Sequence, residues 1–123
     1  MSSLTTALTD GTSGVFSAGD PAQRVLDLAR DHGWRTYAVR LTQPTDKKAF
    51  LKRAAKDLDL PDYFGHTWDS LADCLRDFED EPGTLLSFEG IEQLGAKDRA
   101  TLIDIFTERV EEGTKPFLVV VAD

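Results

Sequence analysis

The chain has 123 residues, 41% of them hydrophobic, and a formal net charge of −8. This length suits a single domain with a core of ordinary size, and Cys74, the only cysteine, excludes an intrachain disulfide and favours a reducing compartment. The first residues lack the basic and apolar segments of a secretory signal, and the longest apolar run, residues 117–122, is too short to cross a bilayer. We therefore predict a cytoplasmic protein that does not act at a membrane.

The acidic residues are concentrated in one part of the chain. Residues 57–81 contain nine acidic residues against Arg76 alone, a net charge of −8, whereas residues 1–56 sum to +4. Binding to nucleic acid requires clustered Lys and Arg side chains, so this distribution disfavours nucleic acid as a partner. It favours a basic protein instead.

The N-terminal third predicts an arm followed by a strand and a helix. Residues 1–13 are rich in Ser, Thr and Gly and predict a loose arm. Residues 14–16 are a candidate edge strand. Asp20 and Pro21 then predict a helix start, with Asp as the cap and Pro at the first helical position, and Gly33 predicts the helix end.

The middle of the chain predicts a strand and two helices. Residues 37–41 alternate between apolar and other side chains, as a strand does. Thr45 can cap a helix whose apolar residues recur at helical spacing up to Leu58, with lysines and an arginine on the other face, where solvation is the simpler explanation. Thr67 predicts the N-cap of a third, short helix that runs to about Phe78.

The C-terminal third predicts a strand over residues 84–88, a long helix over about 96–112 that ends at Gly113, and a last strand over 117–121. The inner residues of that helix are predicted to be Leu102, Ile103, Ile105, Phe106 and Val110. The unbroken β-branched run of the last strand is typical of a strand covered on both faces. Strands separated by helices predict an α/β fold. We expect a small parallel sheet of three strands flanked by helices, with a fourth, N-terminal edge strand as an alternative.

An acidic stripe on the third predicted helix requires explanation. Asp69, Asp73 and Asp77 are spaced by four residues and therefore lie on one side of that helix. Like charges at this spacing cost about 0.2–0.5 kcal/mol per pair. A solvated helix face and a functional surface explain the charge equally well, but Tyr63 beside it is a side chain typical of interfaces.

The segment around the stripe resembles the signature of the barstar family. The turn Leu60-Pro61-Asp62-Tyr63-Phe64-Gly65 is followed by Asp69-Ser70-Leu71-Ala72-Asp73-Cys74-Leu75 on the helix. Further on, Phe106-Thr107-Glu108, then Gly113 and a β-branched strand, resemble the family's last helix and strand. The resemblance covers about residues 35–122. It implies a barstar-like fold in one domain over residues 14–123, with residues 14–33 as an N-terminal extension.

The resemblance implies a function and a set of partner-binding residues. Family members are intracellular inhibitors of secreted ribonucleases and are not enzymes. By resemblance, Asp73 enters the phosphate site of a basic, guanyl-preferring microbial ribonuclease and imitates the scissile phosphate of RNA in a one-to-one complex. Asp69 makes a second contact, Glu108 reaches the rim, and Tyr63 packs against the catalytic histidine.

Other residues complete the predicted interface. Gly65 and His66 belong to the loop before the helix. Thr67 and Ala72 stand where the family has Asn and Trp, which implies a ribonuclease different from the archetypal partner.

Two other classes of function are weighed against inhibition. An enzyme would use His66, Asp69 and Asp73 as metal ligands or as an acid–base set, but such sites need more His, Cys or converging acids than this chain offers. We therefore expect no catalytic residues, no metal and no cofactor. An acidic interaction or immunity module for a basic toxin or protein other than a ribonuclease stays open.

Overall fold

Strands and helices alternate along the chain in the computed structural model, which describes residues 7–17, 22–61, 64–78, 81–113 and 115–122. The elements are β1 (Gly14–Ser17), α1 (Ala22–Asp31), β2 (Arg35–Arg40), α2 (Lys47–Asp57), α3 (Trp68–Arg76), β3 (Thr84–Glu89), a short 3₁₀ helix (Ile91–Gln93), α4 (Ala96–Glu112) and β4 (Phe117–Ala122).

The four strands form one parallel sheet in the order β1-β4-β3-β2. In its centre, Tyr37 pairs with Leu86, and Leu86 pairs with Val119. The predicted α/β class is confirmed. The sheet has four strands rather than three, because the N-terminal strand β1 pairs along β4 as an edge strand.

The sheet has a hydrophobic cluster on each face. The alternation of side chains in β3 and β4 sends Leu86 and Val119 to one face, where helices α2, α3 and α4 pack. It sends Leu85 and Leu118 to the other face, where α1 packs. The last strand is thus covered on both sides, as its β-branched run predicts.

The start of the described chain packs against the second face. Residues 7–10 are helical, Ala7 and Leu8 are buried, and the Nε1 of Trp34 donates a hydrogen bond to the carbonyl oxygen of Leu8 at 3.2 Å. The composition predicts a loose arm through residue 13. Residues 7–10 pack instead, because their apolar side chains join the cluster that covers this face. Residues 1–6 and the predicted helix start at Asp20 and Pro21 lie outside the described residues.

Two helix ends differ from their predicted positions. Helix α2 is capped by Asp46 rather than Thr45, because the Asp46 Oδ1 accepts a hydrogen bond from the Ala49 N–H at 2.8 Å. Helix α3 ends at Arg76 rather than near Phe78. Asp77 is its C-cap, so the third acid of the stripe stands at the end of the helix.

The inner face of α4 contains a residue that its hydrophobic pattern does not indicate. Among the five predicted inner residues, Ile103 and Val110 are only partly buried. Arg109 is buried, with an exposed fraction of 3%. Its guanidinium lies over the Phe117 ring, 4.7 Å from the ring centre to Cζ.

Candidate functional site

The loop that leads into α3 is exposed and held by local hydrogen bonds. The Thr67 Oγ1 accepts from the Ser70 N–H at 3.1 Å, which confirms Thr67 as the N-cap, and the Ser70 Oγ accepts from the Gly65 N–H at 2.8 Å. His66 has a left-handed backbone with φ 56°, and its ring centre lies 4.9 Å from that of Phe64. The loop residues Gly65, His66 and Thr67 therefore form one defined surface at the start of the helix.

The inner face of α3 is anchored in the core. Leu71, Cys74 and Leu75 are buried, and the half-buried Trp68 packs on Phe50 with 5.8 Å between ring centres. Burial, followed by the charges of Asp77 and Asp73, raises the pKa of the Cys74 thiol above its usual value. The thiol therefore stays protonated near neutral pH and is unsuited to act as a nucleophile.

The outer face of α3 presents two carboxylates to solvent. Asp69 and Asp73 are exposed, and the Asp73 side chain is 70% exposed. Asp69 lies in the first turn, where the helix dipole favours a negative charge. Within the described residues, no ion pair involves Asp69.

Arg76 joins α3 to α4 through two acids. Its Nη1 lies 2.7 Å from the Asp73 Oδ1, and its Nη2 lies 2.7 Å from the Glu108 Oε1. The hydrogen bond to Glu108 is the main cause that raises the pKa of Arg76. Arg76 thus compensates one of the two negative charges it joins, and Asp73 and Glu108 are brought together from distant parts of the sequence.

A cleft of about 430 Å³ lies between α3 and α4, and the two ion pairs of Arg76 are part of its walls. Helix α3 contributes Asp69, Ala72, Asp73 and Arg76 to its walls, together with Trp68; helix α4 contributes Thr101, Asp104, Ile105 and Glu108. The predicted interface omitted Asp104, although Asp104 and Glu108 are spaced by four residues on one helix and hence share a side. The four-residue spacing from Glu108 is therefore the feature of the sequence that places Asp104 beside the predicted interface.

The first cleft is called the acidic cleft below, because Asp69, Asp73, Asp104 and Glu108 line it. A second cleft, of about 410 Å³, is lined by basic residues. His66 lines it with Lys47, Lys48 and Lys52 of α2, around Leu51. His66 is absent from the walls of the acidic cleft, so the three residues of the enzyme hypothesis, His66, Asp69 and Asp73, do not line a common cavity. In the part of the chain that the structure describes, no group of three or more His, Cys, Asp or Glu residues is placed to hold a metal ion.

The structure places the predicted interface residues in two adjoining surfaces. Four of them line the acidic cleft: Asp69, Ala72, Asp73 and Glu108. Three others form the loop that precedes α3: Gly65, His66 and Thr67. Tyr63 lies outside the described residues. None of the described helices is long and apolar enough to span a bilayer.

Comparisons with known proteins identify one family. The family model described as "Barstar (barnase inhibitor)" matches residues 34–122. The match includes β2 to β4 and the helices that carry the acidic cleft, and it begins after β1 and α1. A comparison with curated proteins found no match.

Proposed function

The chain belongs to the barstar family, whose members are inhibitors of ribonucleases such as barnase and not enzymes, and on this premise we propose that it inhibits a ribonuclease. The partner is a basic, secreted, guanyl-preferring microbial enzyme, bound one-to-one through its active site. The protein acts in the cytoplasm as an immunity factor that protects the cell from this enzyme. The buried, unpaired Cys74 suits such a reducing compartment.

The acidic cleft between α3 and α4 is the observation that carries this proposal. A ribonuclease active site gathers cationic side chains to hold the RNA phosphate, and carboxylates are strong hydrogen-bond acceptors for such groups. Asp69 and Asp73 are exposed on a helix whose inner face is fixed in the core. A rigid anionic surface loses little conformational freedom on binding, which favours a tight complex.

Each residue of the interface has a proposed role. Asp73 enters the phosphate site and imitates the scissile phosphate, and Asp69 makes a second contact from the same helix. Glu108 contacts the rim of the active site from α4. The loop residues Gly65, His66 and Thr67 form the edge of the contact together with Ala72 of α3. Tyr63 packs against the catalytic histidine of the enzyme.

The test is the inhibition of barnase, and of a panel of related secreted ribonucleases, by the wild-type chain and by Asp73→Asn. We expect one-to-one inhibition by the wild type and a loss of about 3–5 kcal/mol of binding free energy in the variant, more than a hundredfold in the inhibition constant, because an enzyme cation is left buried without its counter-ion. RNA cleavage at increasing inhibitor concentration measures the stoichiometry and the inhibition constant.

Asp31→Asn is the matched control, because Asp31 is an exposed acid of α1 on the opposite face of the sheet. It removes the same charge and should inhibit as the wild type does. Equal inhibition by Asp73→Asn and the wild type would contradict the assignment of Asp73. If the wild type inhibits no ribonuclease of the panel but forms a stable complex with another basic toxin, the alternative function of an immunity module for that toxin replaces the proposal.

A further inference from the structure

Arg76 contacts two carboxylates of the proposed inhibitory face. We propose that Arg76 is a positioning residue that fixes the Asp73 and Glu108 carboxylates in the free protein, so that both meet the ribonuclease without being ordered at the moment of binding. This inference rests on the proposed function, because it concerns the same interface.

The contact geometry supports a positioning role. The two carboxylates bind different nitrogens of one planar guanidinium, each at 2.7 Å, so the rigid fork of Arg76 sets the distance between them. Because Asp73 belongs to α3 and Glu108 to α4, the fork also links the two helices that form the acidic cleft.

Both carboxylates keep an oxygen for the partner. The hydrogen bonds from Arg76 use one oxygen of each carboxylate, the Oδ1 of Asp73 and the Oε1 of Glu108. The second oxygen of each carboxylate is an acceptor with its own lone pairs. The side chains are 70% and 44% exposed, respectively. A cationic side chain of the enzyme therefore binds these second oxygens while Arg76 stays in place.

Positioning and charge compensation affect binding in opposite directions. Arg76 cancels one negative charge of the face, which weakens the long-range attraction to a basic enzyme and slows association. It also holds two side chains that would otherwise repel each other and sample several rotamers, which lowers the ordering cost of the complex and slows dissociation. The two rate constants therefore separate the two effects.

Arg76→Lys tests positioning alone, because it keeps the charge and replaces the fork by a single ammonium group. The rates are measured by stopped-flow fluorescence with barnase or, if barnase is not inhibited, with the panel ribonuclease that the wild type inhibits. We expect association within about twofold of the wild type and dissociation faster by about threefold to tenfold. Arg76→Gln, which also removes the charge, should associate faster than the wild type and dissociate as fast as Arg76→Lys.

Arg40→Lys is the control, since Arg40 on β2 has a 70% exposed side chain and pairs with Glu89 at 3.7 Å, away from the cleft. It should leave both rates unchanged, and urea unfolding verifies that every variant is folded. A dissociation rate of Arg76→Lys equal to that of the wild type overturns the inference while the proposed function stands. A wild-type chain that inhibits no ribonuclease of the panel overturns both.

A second measurement needs no partner. In the free protein, the two bonded Nη groups of Arg76 should give separate ¹⁵N signals, because two ion pairs hinder rotation of the guanidinium. Glu108→Gln should merge these signals. Merged signals in the wild type would show that the fork does not hold the carboxylates, and the inference fails.

Discussion

Gly65 stands at the point where the chain enters α3. Its N–H donates to the Ser70 Oγ at 2.8 Å, and a Cβ added at Gly65 would lie 3.6 Å from that same oxygen, an ordinary contact. The fold itself therefore does not require a glycine here. Because Gly65 is exposed in the loop that precedes α3, a close approach by the partner's backbone is a physical reason for a residue without a side chain.

Gly65→Ala is predicted to separate folding from binding. We expect its free energy of unfolding to stay within about 1 kcal/mol of the wild type. The affinity for an inhibited ribonuclease should fall by about 1–3 kcal/mol, because the methyl group overpacks the contact. Urea unfolding and titration of ribonuclease activity measure the two quantities.

Gly95→Ala is the control for this substitution. Gly95 is exposed at the start of α4, and no atom lies within 4 Å of an added Cβ. Wild-type affinity in Gly65→Ala would place Gly65 outside the interface.

At the scale of elements, Arg109 connects α4 to the end of α3. Its Nε donates to the carbonyl oxygen of Leu75 at 2.7 Å, its Nη2 to that of Phe78, and its Nη1 to that of Lys115 at 3.3 Å. The last carbonyls of a helix have no partner within the helix, so the bond to Leu75 helps to complete the C-terminal end of α3. The bonds to Phe78 and Lys115 hold the segment after α3 and the segment before β4. Gly113 leaves room for them, because a Cβ there would lie 1.7 Å from the Arg109 Nη1.

Arg109→Met is therefore predicted to destabilise the fold. We expect the free energy of unfolding to fall by about 3 kcal/mol or more, because one buried and two partly buried hydrogen bonds to carbonyls lose their charged donor while the apolar volume is largely kept. Urea unfolding measures the change. Arg53→Met is the control, since Arg53 is half exposed and pairs with Asp57 along α2, an interaction worth about 1 kcal/mol at most. An equal effect of the two substitutions would contradict the role given to Arg109.

The sequence predicts these elements well where the determining interactions are local. The sequence predicts Thr67 as a cap correctly, because the oxygen of a cap and the N–H it binds are three residues apart. The predicted cap of α2 is wrong by one residue, because Thr45 and Asp46 are neighbours that both suit a cap. Hydrophobic periodicity does not fix a helix boundary that closely.

Interactions between distant residues set the limit of such predictions. Charge alone makes Arg109 a surface residue, and only the folded chain brings the Leu75 and Phe78 carbonyls to its guanidinium. The link from Arg76 to Glu108 is hidden for the same reason. The acidic stripe was visible in the sequence, whereas the arginine that orders part of it across two helices was not.

At the scale of the whole molecule, the segment before the family match completes the fold. Leu85 and Leu118 point away from α3 and would be exposed on the second face of the sheet without α1 and residues 7–8, which form a cluster with them. Strand β1 also pairs along the outer edge of β4, a strand of high β-propensity whose free edge would favour aggregation. The predicted N-terminal extension is thus a layer that covers the second face of the parallel sheet.

Charge is segregated over the molecule as well. The net charge is −8, the walls of the cleft between α3 and α4 include four acids (Asp69, Asp73, Asp104 and Glu108), and lysines of α2 line the second cleft. A field of this kind orients a basic partner before contact and is screened by salt. The acidic cleft, rather than the net charge, should therefore control the rate of association.

Asp104→Asn and Asp31→Asn form a matched pair for the last prediction, because each removes one charge but only Asp104 lines the cleft. With a ribonuclease that the wild type inhibits, we expect the wild-type association rate to fall by about tenfold or more between about 0.05 M and about 0.5 M salt. The dissociation rate should change less. Asp104→Asn should associate more slowly than Asp31→Asn at low salt, and the difference should vanish at high salt, where the solution screens the charge of Asp104. Association that is independent of salt, or equal rates for the two variants at low salt, would mean that the acidic cleft does not guide the encounter.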